Sequence, residues 1–322
     1  MASRTPVPVR WDATQLPSVH GQVVIVTGGG TGIGFHTALE LARRGAQVII
    51  ACHIEAQGRD AVTAITSEIS NSAEDKSGRA EFMLLDVSSL ASVKAFADEF
   101  QKTHERLDVL VLNAGILARE YVQTPDEYEC AFATNYLGHF ALTAHLMETL
   151  KRSEAARIVT VSSVLHARGK FHAGELMMLK ETFRRMKAYC QTKIYVLLFT
   201  FELHRRLQAS GTTNVIAVAS HPGIVATNMM ATDLSDLGFA TQLKFWIAGK
   251  LMHGPEFGAL PLLYAAAAPG VQGGEFYGPD GFLGIYGHPQ HARASQDATS
   301  EANARILWTK SEELAKVKFN LE

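Results

Sequence analysis

The sequence predicts an α/β fold with one doubly wound domain on a mostly parallel sheet. Short apolar, β-branched runs recur along the chain, and longer amphipathic segments separate them. The runs span residues 23–26, 48–51, 82–85, 109–112, 158–161 and 215–219. Because strand-like and helix-like segments alternate, each strand is expected to pair in parallel with a neighbour through a crossover helix.

The remaining segments fit the same single domain. Residues 70–79 are polar and predict a surface loop before the third strand. Residues 229–252 are rich in Met, Leu and Phe, and they predict a helical substrate flap over about residues 228–256. Residues 273–278 are a glycine-rich strand candidate, and a last helix is expected over 298–314. We therefore assign residues 1–20 to an N-terminal surface arm and residues 21–322 to one domain.

Charge and cysteine content exclude several classes of protein. Thirty basic and 32 acidic residues give a net charge of -2, without a basic block, so nucleic acid is not expected as a partner. Three widely spaced cysteines without a Cys-x-x-Cys pair predict a reduced, cytoplasmic chain with no metal site. The first twenty residues lack the apolar core of a signal peptide. The sequence contains no run of about eighteen apolar residues, so a transmembrane segment is not expected.

A glycine-rich stretch joins the first strand to the helix predicted over residues 35–44. Its glycines are Gly28, Gly32 and Gly34, with Thr31 and Ile33 between them. Missing side chains there would let a pyrophosphate approach the backbone N–H groups at the positive end of the helix. An ordinary strand-to-helix turn is the alternative, but the flanking strand and helix favour a dinucleotide cofactor.

The end of the second strand bears on the choice of cofactor. A carboxylate there would accept hydrogen bonds from a ribose 2′-hydroxyl, whereas a basic residue would attract a 2′-phosphate. The chain has Cys52-His53, and its first carboxylate is Glu55. NADP(H) is therefore favoured and NAD(H) remains the alternative, with His53 either contacting the phosphate or lying exposed without a role.

Two further strand ends carry candidate cofactor contacts. Asp86 could accept a hydrogen bond from the adenine amino group while Val87 packs on the ring; alternatively, Asp86 caps a helix starting near Ser88. Small residues at Asn113, Ala114 and Gly115 would admit the ribose and nicotinamide, with a plain strand-end turn as the competing interpretation.

Tyr189 and Lys193 are four residues apart, so a phenol and an ammonium share one helix face. Such a pair can transfer a proton. Ser162 and Ser163 end the strand at 158–161, and strand alternation lets only one of them face the site. A hydroxyl there could donate to a substrate carbonyl beside Tyr189, although a serine pair at a strand end is more often turn chemistry.

Together with Asn135, these motifs resemble the short-chain dehydrogenase/reductase superfamily over about residues 21–223. The segments 188–193, 221–223 and 134–140 are most similar to its retinol dehydrogenase and WW-domain oxidoreductase-like branch. The resemblance implies a Rossmann-type fold. It also implies that Tyr189 is the general acid/base and that Lys193 lowers the tyrosine pKa and holds the nicotinamide ribose. By the same resemblance, Ser163 orients the substrate oxygen and Asn135 anchors a relay water. Pro222, Gly223 and Thr227 match the segment that borders the nicotinamide.

The chain departs from this branch at several places. His53 stands where relatives commonly carry arginine, Thr192 replaces a frequent serine, and the N-terminal membrane anchor of many retinoid-active relatives is not found. These differences weaken the expectation of a retinoid substrate and leave the cofactor open between NADP(H) and NAD(H).

Flexible and aromatic side chains are expected over the site, from an insertion at 165–187 and from the flap. They are Met177, Met178, Phe183, Met229, Met230, Phe239, Phe245 and Trp246. They favour a lipophilic small-molecule substrate, unless they pack against the body of the fold.

We predict an NADP(H)-dependent oxidoreductase that interconverts a lipophilic ketone or aldehyde and its alcohol. The alternatives are an NAD-dependent alcohol dehydrogenase, a non-catalytic protein that senses cofactor or binds a partner, and dehydration or epimerisation on the same fold. A homodimer through helices at 132–150 and 193–206 is common in the superfamily and is a further expectation.

Overall fold

Eight strands form one sheet in the computed structural model, which describes residues 5–71, 77–225 and 254–321. The strand order is β3-β2-β1-β4-β5-β6-β7-β8. All neighbours pair in parallel except β7 and β8. The strands are β1 Val23–Thr27, β2 Gln47–Cys52, β3 Arg79–Leu84, β4 Val109–Leu112, β5 Ala156–Val161, β6 Val215–Ser220, β7 Phe276–Pro279 and β8 Pro289–His291. The predicted doubly wound α/β fold is confirmed.

Helices cover both faces of this sheet. They are α1 Gly32–Arg43, α2 Glu55–Asn71, α3 Leu90–Thr103, α4 Cys130–Phe132, α5 Gly138–Lys151, α6 Arg185–Ala209, α7 Pro255–Ala267 and α8 Glu301–Ala315, with a π-helical turn at Ala133–Leu137 between α4 and α5. Ile25 of β1 packs with the core that includes α3, α5, α6 and α8, whereas Val24 and Val26 pack with α1, α2 and α7. Strand alternation thus divides the core into two layers.

Several predicted boundaries were wrong at the third strand. The polar segment 70–79 was expected to be a loop; residues 72–76 lie outside the described residues, α2 continues to Asn71, and β3 begins at Arg79. β3 is an edge strand and only partly buried, so it carries the polar residues Arg79 and Glu81 and lacks a continuous apolar run at its start. The next helix was expected near Ser88, but α3 begins at Leu90.

The N-terminal segment predicted as a surface arm is anchored to the body. Trp11 is only 2% exposed, and Leu16 and Val19 are also buried. The Trp11 ring packs edge-on against Tyr264 of α7, with 5.1 Å between the ring centroids. The described part of this segment therefore contributes to the core.

Helix α8 covers the face on which a homodimer was expected. Tyr136 hydrogen-bonds Ser311 at 2.7 Å, and Trp308 packs against Phe140 at 5.3 Å between ring centroids. The Arg206 guanidinium lies over the Trp308 ring at 4.4 Å. The chain therefore packs its own helix α8 against α5 and α6, and the homodimer stays a prediction.

The carboxyl ends of β1, β2, β4, β5 and β6 meet at one edge of the sheet, where the predicted site residues lie. Thr227 and the flap residues Met229, Met230, Phe239, Phe245 and Trp246 lie outside the described residues. Of the flap at about 228–256, only the last three positions are described, and α7 begins there at Pro255. None of the described helices combines the length and apolarity needed to cross a membrane.

Candidate active site

The glycine-rich stretch forms a tight turn from β1 into α1. Gly28 and Gly32 have φ angles of +66° and +59°, in the left-handed region that favours glycine. A Cβ on Gly34 would overlap the Gly28 carbonyl oxygen. Thr31 is the N-cap of α1, but its side chain makes no capping hydrogen bond. The turn therefore presents backbone amides at a helix N-terminus without side chains over them, which suits a phosphate group.

The ends of β1 and β4 are tied together by Thr27. Its hydroxyl oxygen accepts hydrogen bonds from the backbone N–H groups of Asn113 and Ala114, at 2.9 and 3.0 Å. Asn113 Nδ2 donates back to the Thr27 carbonyl oxygen at 2.9 Å. Next in the chain, Gly115 lies beside the predicted catalytic groups, since a Cβ there would be 3.5 Å from Lys193 Nζ.

Asp86 is exposed after β3, but it does not cap α3. Its Oδ1 accepts hydrogen bonds from the backbone N–H and hydroxyl of Ser88, at 2.9 and 2.7 Å. The N-cap of α3 is Ser89, whose side chain accepts from the Ser92 N–H. The capping alternative for Asp86 was therefore wrong, and its carboxylate shapes the turn instead. Val87 is buried beside it, against the start of α5.

The end of β2 lies against the glycine-rich turn, because a Cβ on Gly30 would be 3.1 Å from Cys52 Sγ. His53 follows and is exposed. Glu55, the nearest carboxylate in the chain, accepts a hydrogen bond from Arg59 Nε at 2.7 Å and forms an ion pair with the same guanidinium. The Glu55 carboxylate is therefore already paired with a residue of its own helix, α2.

The two serines after β5 point to different partners. Ser162 Oγ donates to the Lys193 carbonyl oxygen at 2.8 Å, which ties the strand end to α6. Ser163 Oγ accepts from the Leu165 N–H at 3.2 Å and lies close enough to the Tyr189 side chain to lower its pKa. Ser163 is therefore the serine whose hydroxyl meets the phenol.

Burial raises the pKa of Tyr189 to about 12, although the neighbouring Ser163 side chain acts in the opposite direction. The phenol is therefore protonated at neutral pH. Lys193 is only 4% exposed, and burial lowers the pKa of its ammonium to about 8. Its Nζ donates to the Val161 carbonyl oxygen at 2.9 Å and lies 5.5 Å from the centroid of the Tyr189 ring. A neutral acid and a nearby cation thus share one buried site.

Asn135 lies in the π-helical turn between α4 and α5, with its side chain fixed by three hydrogen bonds. Oδ1 accepts from the Ile116 N–H at 2.7 Å, and Nδ2 donates to the Ile116 carbonyl at 2.9 Å and to Thr192 Oγ1 at 3.0 Å. The Thr192 hydroxyl donates to the Tyr189 carbonyl oxygen at 2.8 Å. The amide therefore links the loop after β4 to the helix of Tyr189 and Lys193.

Two buried histidines contact this site and were missed from the sequence. His166 Nδ1 lies 2.7 Å from the Ser163 carbonyl oxygen, and its Nε2 accepts from the Ser295 N–H at 3.2 Å. His139 Nε2 lies 2.9 Å from Thr27 Oγ1. The Thr27 and Ser295 partners lie on distant segments, so no local spacing in the sequence marks these two histidines.

Pro222 and Gly223 follow β6 after one residue, His221. Gly223 has a φ angle of +76°, and a Cβ there would overlap the Ile285 carbonyl oxygen. Ile285 also accepts a hydrogen bond from the Ile224 N–H at 2.8 Å. The turn is therefore held against the loop that joins β7 and β8.

The insertion at 165–187 divides between core and surface. Met178 is buried and Met177 packs against the core, as the competing interpretation expected for single residues. Phe183 is half-buried, and its ring meets Tyr121 edge-on at 5.9 Å. Gln191 Nε2 donates to the Glu175 carbonyl oxygen at 3.1 Å and so ties the insertion to α6.

Comparison with known proteins gives consistent relatives. A family model for the short chain dehydrogenase matches residues 22–238. Retinol dehydrogenase 13 of Mus musculus is 37% identical over 303 residues, covering 92% of this chain and 84% of that protein. The WW domain-containing oxidoreductase of Homo sapiens is 36% identical over 302 residues, covering 91% of this chain and 68% of that protein.

A solved structure is similar over almost the whole chain. It is the crystal structure of an uncharacterised protein from Mycobacterium paratuberculosis, with 36% sequence identity and a TM-score of 0.77. The match covers 97% of this chain and 100% of that chain. The similarity therefore extends beyond the part of the chain that carries the motifs.

Proposed function

The chain belongs to the short-chain dehydrogenase family and is an NAD(P)-dependent oxidoreductase acting on CH–OH groups, and on that basis we propose its reaction. It interconverts a lipophilic aldehyde or ketone and its alcohol with NADP(H), with Tyr189 as the general acid/base. The observation that carries this proposal is the Tyr189 phenol, which lies next to the Ser163 side chain and 5.5 Å, measured at its ring centroid, from the buried Lys193 ammonium.

In this proposal the protein handles the substrate oxygen. When bound, the nicotinamide supplies the hydride in reduction or accepts it in oxidation. Ser163 Oγ and Tyr189 Oη hold the carbonyl oxygen, and Tyr189 donates its proton as negative charge develops there. With a pKa of about 12, Tyr189 holds that proton at neutral pH and is ready for reduction. Oxidation would first require its loss, and the Lys193 ammonium would stabilise the phenolate.

The residues at the sheet edge fit a dinucleotide. The turn at Gly28, Gly32 and Gly34 would hold the pyrophosphate, because its amides are accessible at the start of α1. Asp86 and Val87 would contact the adenine, and Asn113 and Ala114 the ribose. Gly115, Lys193, Pro222 and Gly223 would surround the nicotinamide end.

The phosphorylated cofactor is favoured by the charges at the end of β2. His53 is exposed there, and the Glu55 carboxylate is paired with Arg59. A 2′-phosphate would therefore meet an imidazole and a carboxylate that is paired with Arg59, without an unpaired acidic group of the kind that selects a 2′-hydroxyl.

His53→Asp should reverse this preference. The new carboxylate would repel the 2′-phosphate and accept hydrogen bonds from a 2′-hydroxyl, so the Kd for NADPH should rise about tenfold or more while NADH binds equally well or better. Calorimetric titration of both cofactors measures the change.

His20→Asp is the matched control, because it makes the same substitution at an exposed position before β1, at the opposite end of the strand. It should leave both affinities unchanged. Equal loss of NADPH affinity in both variants, or no change in the His53 variant, would remove His53 from the phosphate site.

The substrate class rests on apolar groups and on relatives. Tyr121 and Phe183 pair their rings, and Met177 lies partly buried in the same insertion as Phe183. Retinol, named in the relatives, is an apolar alcohol, which agrees with a lipophilic substrate. A panel of lipophilic aldehydes and ketones with NADPH tests the assignment, and cofactor binding without turnover of any of them would favour a cofactor-sensing role.

A further inference from the structure

His166 connects Ser163 to the C-terminal part of the chain. It lies in a 3₁₀ helix at Val164–Arg168, directly after Ser163, and is 4% exposed. Its Nδ1 is 2.7 Å from the Ser163 carbonyl oxygen. Its Nε2 is 3.2 Å from the backbone nitrogen of Ser295, which follows β8. One buried imidazole therefore joins the serine proposed to hold the substrate oxygen to a segment 129 residues away.

The two partners require the same protonation state of this ring. The Ser163 carbonyl can only accept a hydrogen bond, so Nδ1 must carry a proton. The Ser295 N–H can only donate, so Nε2 must be unprotonated. Burial also lowers the pKa of His166, which favours the neutral form. A neutral imidazole with its proton on Nδ1 satisfies both contacts, whereas a charged ring would direct a second N–H at the Ser295 donor.

Packing fixes the orientation of the ring. Phe276 of β7 meets the imidazole edge-on, with 5.5 Å between the ring centroids. Ser295 is itself held in a turn, because its carbonyl oxygen accepts from the N–H groups of Ala298 and Thr299, at 3.0 and 3.2 Å. Elements outside the 3₁₀ helix therefore determine where Nδ1 of His166 points.

The contact at Nδ1 holds the Ser163 backbone where the chain leaves the sheet. One residue earlier, the Ser162 N–H still pairs with the Ser220 carbonyl of β6 at 2.8 Å. Both described contacts of the Ser163 carbonyl oxygen come from His166, from Nδ1 at 2.7 Å and from the backbone N–H at 3.0 Å. Because side-chain rotamers depend on the backbone, a fixed peptide limits the directions in which the Ser163 hydroxyl can point.

We propose that His166 is a positioning residue that fixes the Ser163 hydroxyl at the place of the substrate oxygen. The inference rests on the function proposed above, in which Ser163 and Tyr189 hold that oxygen. His166 acts through the Ser163 backbone, and Ser295 keeps the proton of the imidazole on Nδ1. Loss of the Nδ1 contact should therefore lower kcat and leave cofactor affinity unchanged.

Two amide variants separate the contacts of the two ring nitrogens. His166→Gln can place its amide oxygen near the position of Nε2, but it has no donor at the position of Nδ1. Its kcat should fall about tenfold, while the Kd for NADPH stays within about twofold. His166→Asn can place its amide nitrogen near the position of Nδ1 and loses the contact with Ser295. It should keep kcat within about threefold and lower the midpoint of thermal unfolding.

A double-mutant cycle with Ser163→Ala shows whether the loss passes through the serine hydroxyl. Turnover is measured with the enzyme in excess over the substrate, so that slow variants remain measurable. If His166 acts through Ser163, the His166→Gln substitution should cost less than about twofold once that hydroxyl is absent. A general disturbance of the site would cost the same factor in both backgrounds. That result, or a His166→Gln variant with wild-type kcat, would overturn the inference.

His104→Gln is the matched control. His104 Nδ1 also contacts a backbone carbonyl, that of Phe100 at 3.3 Å, and its ring stacks on Phe100 with 4.4 Å between centroids. It is the C-cap of α3, which leads to the start of β4, so it lies at the other edge of the sheet. This variant should change neither kcat nor NADPH affinity. Midpoints of thermal unfolding, measured for every variant, identify losses that come from folding.

A readout without substrate distinguishes this inference from the proposed function. The ¹⁵N chemical shifts of the His166 ring at neutral pH should show a neutral imidazole with its proton on Nδ1. A charged ring, or a proton on Nε2, would overturn the inference even in an active enzyme. The expected tautomer in a protein that reduces no carbonyl would instead place the failure in the proposed reaction.

Discussion

Tyr189→Phe is expected to lower kcat for carbonyl reduction by about three orders of magnitude, within the range that a positioned general acid contributes. The phenylalanine ring would keep the packing beside Lys193 Nζ, which lies 5.5 Å from the ring centroid. Only Oη, with the proton for the substrate oxygen, is removed. The Kd for NADPH should stay within about twofold, because no contact proposed for the cofactor depends on the phenolic proton.

Tyr128→Phe is the matched control. Its hydroxyl donates to the Leu314 carbonyl oxygen at 2.8 Å, in a contact with α8 away from the sheet edge. It removes one hydroxyl and should leave kcat near the wild-type value. Turnover retained within about tenfold in the Tyr189 variant would exclude this residue as the general acid.

Lys193→Met should abolish most of the activity and yet make the protein more stable at pH 7. The ammonium is 4% exposed and has no acidic partner among the described contacts, so the folded state bears the cost of its burial. The fall in its pKa from 10.5 to about 8 corresponds to roughly 3 kcal/mol. Loss of its hydrogen bond to the Val161 carbonyl offsets about 1 kcal/mol. A net gain of about 2 kcal/mol in the free energy of unfolding is therefore expected.

The stability that the Lys193→Met variant gains over the wild type should fall as pH rises. Below about pH 8 the lysine is charged in both the folded and unfolded states, so the full cost of burial is present. Between about 8 and 10.5 the folded protein releases the proton while the unfolded chain keeps it. The wild type therefore gains stability relative to the methionine variant as pH rises through this window.

Denaturant unfolding of both proteins at pH 7 and near pH 10 measures this difference. The stability advantage of the Lys193 variant should shrink or vanish at the higher pH. A variant that is less stable at pH 7, or an advantage that does not change with pH, would show that the ammonium is compensated in the folded state. Such a result would contradict the buried, uncompensated cation proposed for the active site.

Much of this architecture follows from the sequence, for physical reasons. Parallel strands that are covered on both faces consist of consecutive apolar residues. β4 at Val109–Leu112 was therefore predicted with its observed bounds. The edge strand β3 lacks such a run, so it was predicted at 82–85, whereas it begins at Arg79. Tyr189 and Lys193 could be paired because a helix brings residues four apart to one face.

Other features depend on contacts that no local pattern encodes. The choice between Ser162 and Ser163 required the position of α6, whose Lys193 carbonyl accepts from Ser162. His139 contacts the Thr27 hydroxyl and His166 accepts from the Ser295 N–H, both in distant segments, and a histidine in an apolar stretch does not specify such partners. The placement of α8 on α5 and α6 also follows only from the packed fold.

Transfer of a labelled hydride tests the central claim most directly. The protein would be incubated with NADPH carrying deuterium at both C4 positions and with a lipophilic aldehyde or ketone that it turns over, and the product would be analysed by mass spectrometry and NMR. The proposed reaction predicts an alcohol with one deuterium on the carbinol carbon, together with an equal amount of NADP⁺. An unlabelled product, or an isomerised or dehydrated one without net oxidation of the cofactor, would contradict it.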